Sequence, residues 1–256
     1  SEYNEVVLFK GGTSLSKSYK IINRLSEDID LAYIAPQNIG NQTKKSIRTI
    51  EKSISAGLQA VPNSLYMSKG SKYRRIELYY PSANSTLIRP TLVLELVSFN
   101  KIFEKEILPV SCFIAEFLIK KGYLQEIRDY QLESFPLSNL SIKATLLEKL
   151  SSLIRFTLTD FPLESVRSKV RHFYDIYSIL QIETIRNYVR TEQFLKDFLN
   201  IHIIDKQSFD SPKSWNSRSL HSSRFLEDFS NFYLSLLPYY EAELSRLCFN
   251  ELPPKD

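Results

Sequence analysis

The sequence FKGGTSLSK at residues 9–17, followed by RLSEDIDL at residues 24–31, decides the fold of this chain. The apolar run at residues 5–9 is followed closely by Gly11 and Gly12, and this pattern is typical of a strand that turns directly into a helix. Apolar side chains then recur at helical spacing. The second stretch alternates polar and apolar residues and predicts a strand over Asp28–Ile34. A strand, a glycine turn, a helix and a second strand therefore open the fold.

These stretches carry groups suited to phosphate and metal chemistry. A Gly-Gly-Thr turn that begins a helix presents free backbone N–H groups and the positive end of the helix dipole to a phosphate. Asp28 and Asp30 lie two residues apart on a strand, so both carboxylates project from one face and can bind a hard cation. A phosphate-binding turn beside a pair of carboxylates is what two-metal phosphoryl or nucleotidyl transfer requires.

A third carboxylate is expected from a neighbouring strand. Glu95 interrupts an apolar strand predicted over Thr91–Phe99, where a carboxylate is costly unless a cation or a basic partner compensates it. Glu77 is the alternative, but it shares a strand face with Arg75, and a surface ion pair with Arg75 explains it more simply. Glu95 is therefore the favoured third metal ligand.

The apolar periodicity changes near residue 110. Residues 1–110 alternate strand and helix patterns and predict a mixed β-sheet with helices. Residues 111–256 show helical periodicity without a strand pattern, so we expect an all-helical second domain and an α+β fold class. A polar segment, Ile204–Leu220, predicts a mobile loop. Helices are predicted over Thr43–Val61, Cys112–Lys121, Ile142–Phe156, Leu163–Gln181, Ile185–Asn200 and Ser222–Cys248, and further strands over Glu5–Phe9 and Tyr73–Tyr80.

The combination of motifs resembles the nucleotidyltransferase superfamily of DNA polymerase β, and more closely the AbiEii/AbiGii-type toxin family. Members of that family have a GGT-x-L-S-K turn and an R-[FL]-S-E-D-I-D-L strand, which match Gly11–Lys17 and Arg24–Leu31. Their second signature, E-K-L-x-x-L-x-R followed by R-x-x-Y/F-D-I/L, matches residues 148–155 and 171–176. The resemblance extends over about residues 5–180.

This resemblance implies an enzyme that uses Mg²⁺ or Mn²⁺ to move a nucleoside monophosphate from a nucleoside triphosphate to an acceptor hydroxyl, with tRNA as the acceptor. It also implies the toxin of a bacterial toxin–antitoxin or abortive-infection system, with a cognate antitoxin. The nucleotide-binding residues are then Gly11, Gly12, Thr13, Ser14 and Lys17, the metal ligands Asp28, Asp30 and Glu95, and the catalytic residues Asp28, Asp30, Glu95, Lys149 and Asp175.

The resemblance places Lys149 and Asp175 in a cleft, contributed by the helical domain. A lysine delivers a point charge to a phosphate oxygen, and an aspartate can orient that lysine or accept a proton. An ordinary ion pair between two helices is the simpler interpretation of the same residues. Family members usually have a helix before the first strand, whereas about five residues precede it here, and their third acid is usually Asp rather than Glu.

Two other functions stay open on the sequence. The first is the transfer of a nucleotide to a protein hydroxyl, and the second is a degenerate module that binds nucleotides without catalysis. A nucleic-acid partner is suggested by two basic clusters, although a solvated helix face and a charged sheet edge explain them equally well. These clusters are Lys44, Lys45, Arg48 and Lys52, and Lys69, Lys72, Arg74 and Arg75.

Composition excludes several other classes of protein. The 256 residues include 33 Lys+Arg, 29 Asp+Glu and 43% hydrophobic residues, which is typical of a folded globular chain. Residues 1–110 carry 15 basic and 10 acidic residues, a surplus that suits a polyanion. No apolar run reaches the ~18 residues of a membrane span. Two cysteines and three histidines give neither a disulfide framework nor a zinc signature, so a reduced cytoplasmic protein is expected.

Overall fold

The computed structural model describes residues 5–26, 28–35, 40–65, 67–70, 72–81, 91–99 and 104–253, so Glu27 of the second motif lies outside the described residues. The chain divides into two compact units. The first comprises Ser1–Lys20 and Ser26–Ser141, and the second comprises Ile21–Leu25 and Ile142–Asp256. Residues 111–141 thus belong to the first unit, and the units divide later in the chain than the change of periodicity.

The first unit is built on a mixed β-sheet. Its strands are β1 Val7–Lys10, β2 Asp28–Ile34, β3 Gln59–Ala60, β4 Ser68–Lys69, β5 Tyr73–Tyr79, β6 Thr91–Phe99, β7 Lys105–Val110 and β8 Phe135–Leu140. The strand order is β3-β5-β6-β2-β1-β8-β7, with β4 paired to β5. Strand β2 runs parallel to β6 and β1 runs parallel to β8, whereas the other pairs are antiparallel.

The helices of this unit cover both faces of the sheet. They are α1 Gly11–Lys17, α2 Gly40–Ile54, α3 Phe113–Lys121 and α4 Leu124–Asp129. The buried side chains of Ile47 and Ile50 on α2 pack into a core with Leu31 of β2 and Leu96 of β6. Because side chains alternate along a strand, the carboxylates of β2 lie on the opposite face, where α1 packs. The alternation of side chains along β2 thus places its apolar residues in the core and its carboxylates on the other face of the sheet.

Strand β8 contradicts the expectation that no strand follows residue 111. Its sequence, FPLSNL, contains Pro136, Ser138 and Asn139, which interrupt the apolar alternation that identifies a strand. This segment is a strand because it pairs with two neighbours. It is antiparallel to β7 and parallel to β1, where Phe9 faces Asn139. Tertiary pairing therefore decides this element, which local pattern could not reveal.

The second unit is helical. Its helices are α5 Ile142–Thr157, α6 Pro162–Arg167, α7 Arg171–Leu180, α8 Glu183–Tyr188, α9 Glu192–Ser208, α10 Arg224–Glu227 and α11 Phe229–Leu247, with 3₁₀ turns at Trp215–Ser217 and Leu220–Ser222. A single bridge from Arg24 to Cys248 is the β-pairing that the described part of this unit contains. The sheet of the first unit and these helices confirm the α+β fold class.

The segment predicted as a mobile loop, Ile204–Leu220, contains helical structure, so the prediction of a loop is wrong for its first residues, and its mobility stays a prediction. Helix α9 continues to Ser208, and the side chain of Trp215 is fully buried. Its indole Nε1 donates a hydrogen bond of 2.8 Å to the carbonyl of Phe209. One buried aromatic ring anchors this polar stretch, and a single residue leaves no periodicity in the sequence.

Two further features concern membranes and cysteines. Among the described ranges, none of the helices has both the length and the apolar character needed to cross a bilayer. Cys112 and Cys248 are both free thiols, as expected from their separation in the sequence. The Cys112 sulfur accepts a hydrogen bond of 3.3 Å from the backbone N–H of Ala115 and so caps α3.

Candidate active site

The glycine turn and Asp30 are in direct contact. Gly11 has a φ of +72°, a conformation that L side chains rarely adopt. A Cβ placed on Gly11 would lie 2.0 Å from Oδ2 of Asp30 and 2.8 Å from its Cγ. Glycine is therefore required here both for its backbone conformation and for space. The structure brings the predicted phosphate-binding turn against the predicted metal ligand.

Thr13 and Ser14 fix the first turn of α1 to the sheet. The Thr13 hydroxyl donates a hydrogen bond to the backbone carbonyl of Asp28. The buried Ser14 hydroxyl donates to Oδ1 of Asn139 on β8, at 2.9 Å. Both hydroxyl hydrogens are thus used within the protein, and the predicted contacts of Thr13 and Ser14 with a triphosphate stay predictions. Sequence reasoning missed Asn139, because the strand that carries it, β8, has no strand pattern in the sequence.

Lys17 lies at the opposite end of α1 from the glycine turn. Its ammonium packs over the ring of Phe113, and its carbonyl accepts a hydrogen bond of 3.3 Å from the backbone N–H of Ser111. Burial lowers the pKa of the Lys17 ammonium, and the charge of Glu116 partly opposes this. These contacts join α1 to α3. The predicted contact of Lys17 with a nucleotide stays a prediction.

Four charged residues form a row across four adjacent strands. In the register of the sheet, Lys10 of β1 faces Asp30 of β2, Asp30 faces Glu95 of β6, and Glu95 faces Arg75 of β5. Facing residues project to the same side of a sheet, so two carboxylates lie between two basic residues. Asp28 lies two residues before Asp30 on the same face. Glu95 is therefore the cross-strand neighbour of Asp30.

Glu95 is held by residues of β5. The Arg75 Nε lies 3.2 Å from Oε1 of Glu95, and the two side chains are 28% and 22% exposed. Burial, with the charge of Glu95 and a hydrogen bond to it, raises the pKa of the Tyr73 hydroxyl. Within the described ranges, no three or more His, Cys, Asp or Glu side chains converge closely enough to hold a metal ion together. The predicted ligands share a face without converging on one point.

Glu77 has a different environment from the one expected. Its side chain is buried and accepts hydrogen bonds of 2.6 Å from the hydroxyls of Ser64 and Thr91. The interpretation of Glu77 as a surface ion-pair partner of Arg75 is therefore wrong, because Glu77 is not at the surface. In the register, Glu77 faces Val93 and lies two strands away from β2.

The second unit contains a buried cluster of three charges. Asp175 on α7 accepts two hydrogen bonds of 2.7 Å from the guanidinium of Arg24, through Nε and Nη2. It accepts a third, of 2.6 Å, from Nζ of Lys149 on α5. Side-chain exposure is 0% for Asp175, 4% for Arg24 and 7% for Lys149. A bidentate arginine and a lysine thus satisfy one carboxylate inside the helical unit.

The two cations keep Asp175 ionised. Burial alone would raise the pKa of the Asp175 carboxyl, but the charges of Lys149 and Arg24 and their hydrogen bonds hold it well below its usual value. At neutral pH Asp175 is therefore an anion that orients Lys149, and it is poorly suited to accept a proton. The ion pair between α5 and α7 agrees with the simpler interpretation of these residues. Their catalytic roles stay predictions.

Arg24 is the member of this cluster that sequence reasoning missed. It opens the motif that contains Asp28 and Asp30, but it belongs to the second compact unit, whereas those aspartates belong to the first. The backbone N–H of Asn23 donates to the Tyr174 hydroxyl at 3.1 Å and holds the same segment. The position of an arginine at the start of a motif was the available signal.

A comparison with protein-family models agrees with the motifs. The family model described as nucleotidyl transferase AbiEii toxin, type IV TA system, matches residues 1–242. Among solved structures the chain is similar to MenT4, a nucleotidyltransferase toxin from Mycobacterium tuberculosis H37Rv, with 15% identity and a TM-score of 0.38 over 95% of this chain and 85% of that chain. A comparison with curated proteins finds no match. The match to the family model spans both signatures.

Proposed function

The chain belongs to the AbiEii family of nucleotidyltransferase toxins of type IV toxin–antitoxin systems, and we propose that it transfers a nucleoside monophosphate from a nucleoside triphosphate to an RNA hydroxyl. In this reaction the acceptor oxygen bonds to the α-phosphorus, the bond from that phosphorus to the bridging oxygen breaks, and pyrophosphate leaves. The observation that carries the proposal is the contact of Asp30 with the Gly11 turn, on the sheet face that Asp28 shares.

The donor set at this turn fits a divalent cation. Carboxylate oxygens are the ligands that Mg²⁺ and Mn²⁺ prefer, and Asp28 and Asp30 present two carboxylates on one face. We propose that these two residues hold the ion, with Glu95 as a third ligand. When bound, the ion supplies neutralisation of the triphosphate charge.

The glycine turn supplies groups for phosphate. The first backbone N–H groups of α1 have no carbonyl partner in their own helix, and Lys10 at the N-cap makes no side-chain cap. We propose that the amides after Gly11 bind the β- and γ-phosphates, while the bonds of Thr13 and Ser14 hold the turn rigid. Asp175 orients Lys149, whose ammonium suits a phosphate oxygen.

The exposed face of α2 favours RNA as the acceptor. Its basic side chains are all exposed, and none of them forms an ion pair within the described part of the chain. The acidic residue of this helix, Glu51, pairs instead with Arg74 of β5. An uncompensated row of cations on a rigid helix suits a phosphate backbone. Its members are Lys44, Lys45, Arg48 and Lys52. A tRNA acceptor is the specific form of this proposal that the family resemblance implies.

Label transfer tests the function directly. The full chain is incubated with Mg²⁺, each α-³²P-labelled nucleoside triphosphate in turn, total tRNA and cell lysate. We expect label in the RNA fraction, lost in Asp28→Asn and Asp30→Asn while circular dichroism stays unchanged. Asp129→Asn, the same change on an exposed residue of α4, serves as the matched control and should retain transfer. Undiminished transfer by both aspartate variants would overturn the proposed site, and label on protein instead of RNA would overturn the acceptor.

A further inference from the structure

We propose that Arg75 is a placeholder cation for Glu95: it neutralises this carboxylate while no divalent ion is bound, and it competes with the ion for it. The inference concerns Arg75 and Glu95 and rests on the proposed function, in which Asp28 and Asp30 hold the ion. It makes Arg75 a positioning residue that sets how tightly the sheet face binds a cation.

The register creates a problem of charge that Arg75 solves. Asp30 and Glu95 face each other on parallel neighbouring strands. Neighbouring strands lie roughly 4.7–4.9 Å apart, so side chains in register on one face are close, and like charges at such positions destabilise a sheet. A cation is needed beside this pair, and Arg75, facing Glu95 from the other side, supplies one.

The ion pair of Arg75 is suited to exchange, unlike that of its neighbour. Arg74 projects to the opposite face, where its pair with Glu51 is nearly buried, with side-chain exposures of 8% and 13%. The Arg75–Glu95 pair is more accessible, at 28% and 22%, with Nε of Arg75 at 3.2 Å from Oε1 of Glu95. Partly exposed pairs contribute little to stability, so a divalent ion can displace the guanidinium at small cost. Arg74 is therefore structural and Arg75 is exchangeable.

The placeholder also accounts for the arrangement of the carboxylates. Glu95 turns toward β5, and the described residues hold no converged set of three acidic, histidine or cysteine ligands. A glutamate has one more rotatable bond than an aspartate, so its carboxylate has the reach to serve either cation.

Mn²⁺ binding to the full chain, without nucleotide, tests the inference by titration calorimetry. We expect Arg75→Gln to bind Mn²⁺ about tenfold more tightly, since one positive charge has left a partly exposed site. Arg75→Lys, which keeps the charge, should bind like the unmodified chain. Lys72→Gln, which removes an exposed charge nearby, is the matched control and should change nothing. In an Glu95→Gln background, Arg75→Gln should give no gain.

Three results would overturn the placeholder role: unchanged or weaker Mn²⁺ binding by Arg75→Gln, an equal gain in the Glu95→Gln background, or no binding by either the unmodified chain or Arg75→Gln. The second would reveal a general field effect in place of competition for Glu95. Label transfer is measured separately. If Arg75→Gln does not bind Mn²⁺ more tightly but the unmodified chain still transfers label, only the placeholder role of Arg75 is contradicted. If Arg75→Gln binds Mn²⁺ more tightly but the unmodified chain transfers no label, the proposed reaction is contradicted instead.

Discussion

At the scale of single residues, Gly11 is required both for its backbone conformation and for the space that it leaves beside Asp30. Its positive φ lets the chain turn from β1 into α1, and its missing Cβ makes room for the carboxylate of Asp30. The methyl group of an alanine at this position would lie 2.0 Å from Oδ2 of Asp30, which is far closer than non-bonded atoms approach. The glycine is thus part of the site, because it determines where the carboxylate lies.

Gly11→Ala should therefore abolish label transfer and destabilise the first unit. The positive φ costs an alanine roughly 1 kcal/mol, and the displacement of Asp30 adds to it, giving about 2–3 kcal/mol in total. Urea unfolding gives the stability, and the label-transfer assay gives the activity. Retention of full transfer would contradict the close contact between the turn and Asp30.

Gly57→Ala is the matched control for this prediction. Gly57 also has a positive φ, +88°, but a Cβ there would meet no atom within 4 Å. This variant carries the backbone cost without a collision. We expect a loss of about 1 kcal/mol with unchanged transfer, so the difference between the two variants isolates the contact with Asp30.

At the scale of secondary-structure elements, α2 makes the RNA proposal quantitative. One side of this helix is fixed in the core by Ile47 and Ile50, and the opposite side is cationic. Each phosphate contact contributes about 0.7–0.9 to the slope of log affinity against log salt concentration. The Arg48→Gln/Lys52→Gln double variant should therefore weaken tRNA binding and reduce that slope by about 1.4–1.8, as measured by filter binding across a salt series.

A second pair of lysines provides the control for α2. Lys120 and Lys121 are exposed at the end of α3, so the Lys120→Gln/Lys121→Gln variant removes the same charge from another helix of the same unit. An equal reduction of the slope by both variants would show that net charge, and not the face of α2, attracts the RNA.

The same scale shows what local sequence patterns can predict. The strands at Asp28–Ile34 and Thr91–Phe99 are confirmed at both ends, because alternation and apolar runs are strong there. The helix predicted over Leu163–Gln181 is instead two helices, interrupted between Arg167 and Arg171. An apolar stripe continues across such a break, so periodicity identifies helical residues better than it finds the ends of a helix.

At the scale of the whole molecule, the motifs predicted the family, whereas the partners of the motif residues came from the structure. Ser14 binds Asn139, and Arg24 binds Asp175, across sequence separations of 125 and 151 residues. Nothing in one sequence specifies which distant residue completes such a contact. The ion pair of Arg75 with Glu95 likewise follows from strand register, which alternation along a single strand does not fix.

The cluster around Asp175 makes one of these long-range contacts testable as stability. Asp175 is the acidic partner of Arg24 and Lys149 among the residues that the structure describes, so Asp175→Asn leaves these two buried cations without a counter-charge there. Removing one partner of a buried ion pair typically costs about 3–5 kcal/mol, and we expect a loss of that size in the free energy of unfolding of the full chain at pH 7. Urea unfolding followed by circular dichroism measures it. A loss below about 1 kcal/mol would contradict the buried cluster.

The buried cluster also predicts how the free energy of unfolding changes as the pH falls. The folded state holds the pKa of Asp175 below its unfolded value of about 3.9, so its stabilisation is complete above that pH and is lost as the pH falls below it. Burial and the charges of Lys149 and Lys169 lower the pKa of His172, so an earlier loss begins below about pH 6.5. Asp175→Asn should retain the loss near pH 6 and lack the loss below pH 4. An unchanged fall below pH 4 would assign acid sensitivity to other carboxylates.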